Sequence, residues 1–187
     1  MKIKHFKFKS VNSTNSIALK FIKQKNLKPT LISSEIQTKG RGTMGKKWIS
    51  QKGNVFISIF FEINQKQINF KQFAILNAYI LKLVISKFIK KKIRIKWPND
   101  LMYNKDKLCG ILQEVFCINK KNFLIVGIGL NTNNDPKNKN FSSTSLKNII
   151  KKDLDNRIVI KMIKEKYEKF LMEIKKNSYL ELKKKYK

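Results

Sequence analysis

The stretch "IRIKWPNDLMYNKDKLCGILQEVFCINKKNFLIVGI", Ile93 to Ile128, decides the fold. Four β-prone runs follow one another within it: Ile93–Lys96, Leu101–Tyr103, Leu108–Ile118 and Phe123–Ile128. The short gaps between them are made of Asn, Asp, Pro and Lys, which turn the chain but leave no room for a helix. Strands at this spacing pair antiparallel, because parallel neighbours need a crossover of a dozen residues or more. The reading is therefore one α/β domain of the α+β kind, with a mixed, mostly antiparallel sheet flanked by helices.

Upstream, Ile3 to Phe8 alternates like a short strand, and Ser and Thr caps open a helix from about Asn15 to Lys25. Thr30–Ile36 reads as a strand leading into a glycine-rich loop. "NVFISIFFEI", Asn54 to Ile63, is nearly all apolar, so it should be a central strand covered on both faces. Phe70 to Ile89 carries apolar residues at helical spacing. Downstream, Asn131 to Asn140 is a loop by its Asn, Asp and Pro content. A helix from about Ile158 to Lys176 follows, and the tail "SYLELKKKYK" adds a short helix expected to fray. No repeat and no linker divides the chain.

The 187 residues suffice for one domain with a real core, and an apolar fraction of 42% argues against a disordered chain. No apolar run is long enough to span a membrane, and "MKIKHFKFKS" lacks the apolar core of a signal peptide, so a cytoplasmic protein is expected. Cys109 and Cys117 lie in a strand, and His5 is the only histidine. Both cysteines are read as reduced, buried small hydrophobes, with no metal site. The net charge of +30 invites a nucleic-acid reading. Yet it is almost all Lys, with only Arg41, Arg94 and Arg157 to supply the planar fork that reads base edges. The lysines are scattered, and Asn and Ile are abundant too, as AT-rich coding would produce. Weak polyanion binding at low salt is expected, specific DNA binding is not.

Two stretches carry chemistry. In "TKGRGTMGKKWIS", Thr38 to Ser50, Gly40, Gly42 and Gly45 let the backbone approach a ligand closely. Successive N–H groups in such a loop make an anion nest, and Lys39, Arg41, Lys46 and Lys47 add charge-assisted donors. It is neither a P-loop nor a convincing dinucleotide fingerprint, since strand-like residues follow it. Alone, the loop fits phosphate binding or a solvated turn. In "KWPND", Pro98 makes a turn that leaves Asn99 and Asp100 exposed at a strand junction, with Lys107 returning on the next strand. Alone, this is a hairpin with a polar tip. Lys96 and Lys107 converging beside a cationic loop nonetheless call for a substrate anion.

Together, "GRGTMGKKW", "KWPND" and "KLCGIL" resemble the biotin–protein ligase family. "STN" at Ser13–Asn15, Gln37, "VGIGLN" ending at Asn131 and "TSL" at Thr144–Leu146 fall in the same order, so the likeness covers the family's catalytic domain. It implies activation of biotin by ATP to biotinyl-5′-AMP, with magnesium accompanying the ATP. Transfer to one lysine of the biotin carboxyl carrier protein of acetyl-CoA carboxylase follows. It implies Lys107, Arg41 and Asp100 as catalytic residues. Biotin would be held by Ser13, Thr14, Asn15, Gln37, Gly40, Arg41, Trp48, Lys107 and Gly110. The nucleotide would meet Arg41, Lys46, Trp48, Asn99, Lys107 and Asn131.

Two departures from the pattern stand out. Thr43 occupies a place where the family usually carries arginine, so looser retention of biotinyl-AMP is expected. Residues 1–187 are expected to be a single catalytic domain, without the helix-turn-helix domain or the small β-barrel domain of some relatives. Pairing as a homodimer is left open. The rivals are a lipoate–protein ligase, which the biotin-type motifs disfavour, a basic nucleic-acid-binding protein, and a ligase that binds biotin without turnover.

Overall fold

The computed structural model describes residues 1–90, 92–137 and 142–187. Seven strands form one sheet: β1 (Lys4–Val11), β2 (Thr30–Gln37), β3 (Val55–Ile63), β4 (Ile93–Lys96), β5 (Asp100–Tyr103), β6 (Asp106–Ile118) and β7 (Lys121–Leu130). Their order is β1-β2-β3-β7-β6-β5-β4. Only β1 and β2 run parallel, and α1 (Thr14–Lys23) makes the crossover between them; every other neighbour is antiparallel. The hairpin-spaced stretch is the β4–β7 half of this sheet. One of its two-residue turns, Asn119–Lys120, has both φ angles positive (50° and 61°), which matches the twist of the strands it joins.

The two faces of the sheet are covered unequally. Alternate residues of β3 and β7 (Ile57, Ile59, Val126, Ile128) point into the larger core, against α2 (Phe70–Ile85), α4 (Asn156–Glu173) and α5 (Tyr179–Tyr186). The other face packs Ile32, Phe60, Phe123 and Ile125 beneath Ala18 and Ile22 of α1. Every residue of β3 except Glu62 is buried, as its apolar run predicts. Past the start of α1 this second face continues as Gly127 and Gly129, which line a cleft.

Several boundaries differ from expectation. The α2 helix stops at Ile85, not Ile89, yet Ile89 is only 5% exposed. Apolar periodicity reports burial, and the turn after the helix buries its side chains too. A short helix, α3 (Leu146–Ile150), escaped the sequence reading; Ser145 caps it by accepting from Asn148 N. The α5 tail is packed, not frayed: Tyr186 is 1% exposed and its hydroxyl donates to Glu173 at 2.8 Å. Cys109 is buried, but Cys117 is exposed near the turn, because β6 extends past the cover of the helices. Part of the expected Asn131–Asn140 loop, residues 138–140, lies outside the described residues. No helix among the described residues is long and apolar enough to cross a membrane.

Candidate active site

The floor of the cleft is bare backbone. Gly110 and Gly129 are cross-strand partners on β6 and β7, and Gly127 follows on the same face, opposite Leu112. A Cβ at Gly129 would fall 2.3 Å from the Trp48 indole, one at Gly110 2.5 Å from it, and one at Gly127 2.3 Å from Asn15 Oδ1. Glycine is required here by close approach, since real Cβ contacts do not come so near. The indole of Trp48 therefore lies flat on the Gly110–Gly129 pair, its buried Nε1 without an acceptor among the described residues.

The glycine-rich loop folds down over this floor. Trp48 N donates to Gly40 O at 2.9 Å, and Gly42 N to Lys46 O at 2.6 Å. Its tip, Thr43–Gly45, is a single 3-10 turn with Met44 and Gly45 at positive φ. Met44 projects into solvent, 94% exposed. Under the loop only about 70 Å³ remains open, far below the roughly 300–1,000 Å³ of a typical small-molecule pocket. The loop thus has to lift for a ligand to enter.

Cations converge from two elements. Arg41, Lys46 and Lys47 come from the loop, and Lys107 from β6. Lys107 Nζ stands 2.8 Å from Asp100 Oδ1, across the β5–β6 hairpin, and 5.2 Å from the Trp48 ring centroid. Asp100 Oδ1 is buried, and the ion pair with Lys107 compensates its charge. Asn99 and Asp100 are half-buried, not exposed, because the turn folds against β6: Ile111 N donates to Asn99 O at 2.8 Å. The Trp97–Pro98 peptide in that turn is cis. Lys96 points to solvent and does not line the cleft. Burial and then the Asp100 carboxylate push the neighbouring Cys109 thiol far up, so it stays an unreactive thiol.

A neutral polar wall lies at the start of α1. Gln37 Oε1 accepts from Thr14 N at 2.8 Å and lies 3.1 Å from Thr14 Oγ1, and Ser58 Oγ contacts both Thr14 and Asn15. A cleft that combines cations with neutral donors and acceptors suits a ligand with an uncharged polar head and an anionic end.

A model of the biotin/lipoate A/B protein ligase family matches residues 7–131. The chain belongs to this family. Among its relatives, the bifunctional ligase/repressor BirA of Bacillus subtilis is 32% identical over 128 residues, 67% of this chain and 39% of that protein. BirA of Escherichia coli is 34% identical over 106 residues, covering 56% and 33%. The chain thus spans about two fifths or less of the length of these curated relatives. The solved biotin protein ligase from Aquifex aeolicus in complex with biotin and ATP superposes with a TM-score of 0.81 at 29% identity, covering 98% of this chain and 76% of that one.

In this ligase-family chain, Ser13, Thr14, Asn15, Gln37, Arg41, Lys46, Trp48, Asn99, Lys107 and Gly110 all line the cleft. Gly40, Asp100 and Asn131 do not. Gly40 sits behind the loop, where a Cβ would meet Trp48 O at 2.5 Å. Asp100 reaches the cleft only through Lys107. Asn131 is 2% exposed, and its Nδ2 donates to Thr144 O at 3.1 Å, pinning the segment that runs beside Lys107. It borders a smaller adjoining hollow with Lys47, Trp48 and Lys107.

The sequence reading missed Glu114, Ser58 and Ser50. Glu114 takes both Arg41 guanidinium nitrogens, at 3.0 and 2.8 Å, and Asn15 Nδ2 at 2.7 Å. The available signal was the strand alternation of "GILQEV", which puts Glu114 on the same face as Gly110 and Leu112. A larger groove of about 890 Å³ between β1, β2 and α4 holds none of the predicted site residues.

Proposed function

We propose that this chain is an ATP-dependent biotin–protein ligase. It activates biotin to biotinyl-5′-AMP and passes the biotinyl group to a lysine of a biotin carboxyl carrier domain, that of acetyl-CoA carboxylase. The observation that carries the reading is the meeting of four cations and a neutral polar wall over one glycine floor. The family match and the likeness to the Aquifex aeolicus enzyme support the choice of substrates.

In this reading the ureido head of biotin lies against Thr14, Asn15 and Gln37, and its carboxylate points towards Lys107. A carboxylate oxygen attacks the α-phosphorus of ATP, and pyrophosphate leaves with the electron pair of the broken P–O bond. Two anions must approach each other, and Lys107, Arg41 and Lys46 stabilise the charge that gathers on the phosphate oxygens. Asp100 holds Lys107 at the required place. Asn131 supports the backbone that carries Lys107 and borders the nucleotide. The acceptor lysine, as its neutral amine, then attacks the carbonyl carbon of the mixed anhydride; the acyl C–O bond breaks, AMP leaves with its electron pair, and the amide forms as the nitrogen gives up a proton to solvent. Trp48, lying between the loop and the floor, closes the site against water once the loop settles.

No group of three or more His, Cys, Asp or Glu able to hold a metal occurs among the described residues. Asp100 and Glu114 are each matched to a cation. Magnesium enters with the ATP substrate, on its phosphates.

The test supplies ATP with biotin or with lipoate and follows pyrophosphate release, then biotin transfer to a carrier domain. Release with biotin is expected. Release with lipoate alone would overturn the reading.

A further inference from the structure

Both ends of the glycine-rich loop are fastened to one string of hydrogen bonds. At the far end, Trp48 O accepts from Ser50 Oγ at 3.3 Å, and Ser50 Oγ accepts from Gln37 Nε2 at 3.0 Å. Gln37 Oε1 accepts from Thr14 N, and Thr14 Oγ1 turns its proton to Ser58 Oγ, 2.7 Å away. Ser58 Oγ bonds Asn15 Oδ1, and Asn15 Nδ2 donates to Glu114 Oε2 at 2.7 Å. Glu114 then closes the circuit at the near end of the loop, on the fork of Arg41.

The polarity of the Asn15 end of this string is set chiefly by Glu114, with Leu112 O, which accepts from Asn15 Nδ2 at 3.4 Å, favouring the same orientation. An ionised carboxylate only accepts, so Glu114 turns the Asn15 amide with its nitrogen towards itself and its oxygen towards Ser58. Asn15 Oδ1 carries no proton and takes the single proton of Ser58, which leaves the Ser58 oxygen its lone pairs to face Thr14. Asn15, Thr14 and Ser58 are each no more than 3% exposed, so water does not easily reorder them. The loop contact of Glu114 is the half-exposed part, with Arg41 and Glu114 side chains 43% and 34% exposed. That end is the one able to release.

We infer that Glu114 is a positioning residue of this site, doing two things at once. It latches the loop through Arg41, and through Asn15 it sets the donor and acceptor order that the polar wall offers to a neutral head group. The second part rests on the biotin-ligase reading, while the latch does not. The chemistry it selects is a small ring that both donates and accepts hydrogen bonds, as a cyclic urea does. Glu114 itself touches no reacting atom.

The experiment combines limited trypsin digestion with steady-state kinetics. Trypsin sites flank the loop at Lys39, Arg41, Lys46 and Lys47. Glu114→Gln keeps the shape, loses the charge and lets the Asn15 amide turn round. Its loop should be cut about tenfold faster, the size expected for a lost charge-assisted pair, with an unchanged Tm. Its KM for biotin should rise by about the same factor while kcat changes less. Glu114→Asp, which keeps the charge, should recover much of the protection. Unchanged cutting and unchanged KM would overturn the inference, and so would a lowered Tm with cutting throughout the chain. Arg41→Gln attacks the latch from its exposed side, where unfolding is not at issue. It too should speed cutting at Lys46 and Lys47, and failure to do so would overturn the latch. A wild-type protein that turns over no biotin would refute the ligase reading, while the digestion comparison would still decide the latch.

Discussion

Lys107 and Asp100 face each other across the β5–β6 hairpin at 2.8 Å, each side chain only 17% exposed. The turn between β4 and β5 brings the carboxylate in, and a bulge between Leu101 and Met102 shifts the register so that Asp100 pairs with Gly110. The acid thus compensates a cation that would otherwise stand half-buried among Arg41, Lys46 and Lys47.

Lys107→Ala should lower the rate of biotin-dependent pyrophosphate release by about a hundredfold or more, because a fixed charge at the phosphates is lost. Folding should survive, since the ammonium lies at the cleft edge. The check is stopped kinetics beside a thermal melt; activity within a few-fold of wild type would remove Lys107 from the mechanism.

Gly129→Ala should drive the indole of Trp48 off the floor, because the new methyl would stand 2.3 Å from the ring. The overpacking should cost about 1–3 kcal/mol. Measured with Trp97 replaced by Phe, the emission of Trp48 should shift to the red as water reaches it. An unshifted spectrum would mean that the ring is not seated on the glycine pair.

Thr43→Arg places a guanidinium on the cleft lining, where Thr43 now stands. A bidentate donor there should slow release of biotinyl-5′-AMP by about tenfold, the worth of one charge-assisted pair. The measurement is a chase of labelled intermediate. A release rate that does not fall would show that residue 43 does not reach the adenylate.

Tyr186→Ala should destabilise the fold by about 3 kcal/mol, as large-to-small core changes do. Its ring stacks edge-on to Phe170 with centroids 5.7 Å apart, and its hydroxyl holds Glu173. Urea denaturation decides this; a change below about 1 kcal/mol would mean that the tail does fray.

The His5 imidazole is held below its ordinary value of 6.5 by burial first, then by the Lys7 and Lys164 charges. The folded protein therefore favours the neutral ring, whose Nε2 pairs with Ser33 Oγ at 2.8 Å. The histidine contribution is intact above about 6.5 and is lost as pH falls from there through the lowered folded value. Denaturation curves between pH 8 and pH 5.5 should show that loss in the wild type and a flatter dependence in His5→Gln. An equal slope in both would place the proton elsewhere.

The elements of the fold were legible wherever local pattern and burial agree. The apolar run of β3, the hairpin spacing from Ile93 to Ile128 and the helical period of α2 each follow from side-chain direction along the backbone. Helix ends were less legible, because Ile89 keeps the apolar period after the helical hydrogen bonds stop. The short α3 carries too few residues to show a period at all.

The site divides in the same way. By itself the sequence determined the glycine-rich loop, its cations, the "KWPND" turn and the return of Lys107, because each is a short-range statement about backbone freedom and charge. Only the tertiary structure decided what these groups face. Arg41 meets Glu114 at a separation of 73 residues, and Asn15 meets it at 99. Trp48 finds its seat on Gly110 and Gly129 because β7 inserts between β3 and β6. That strand order depends on how the whole chain closes around its two cores, and no local propensity encodes it.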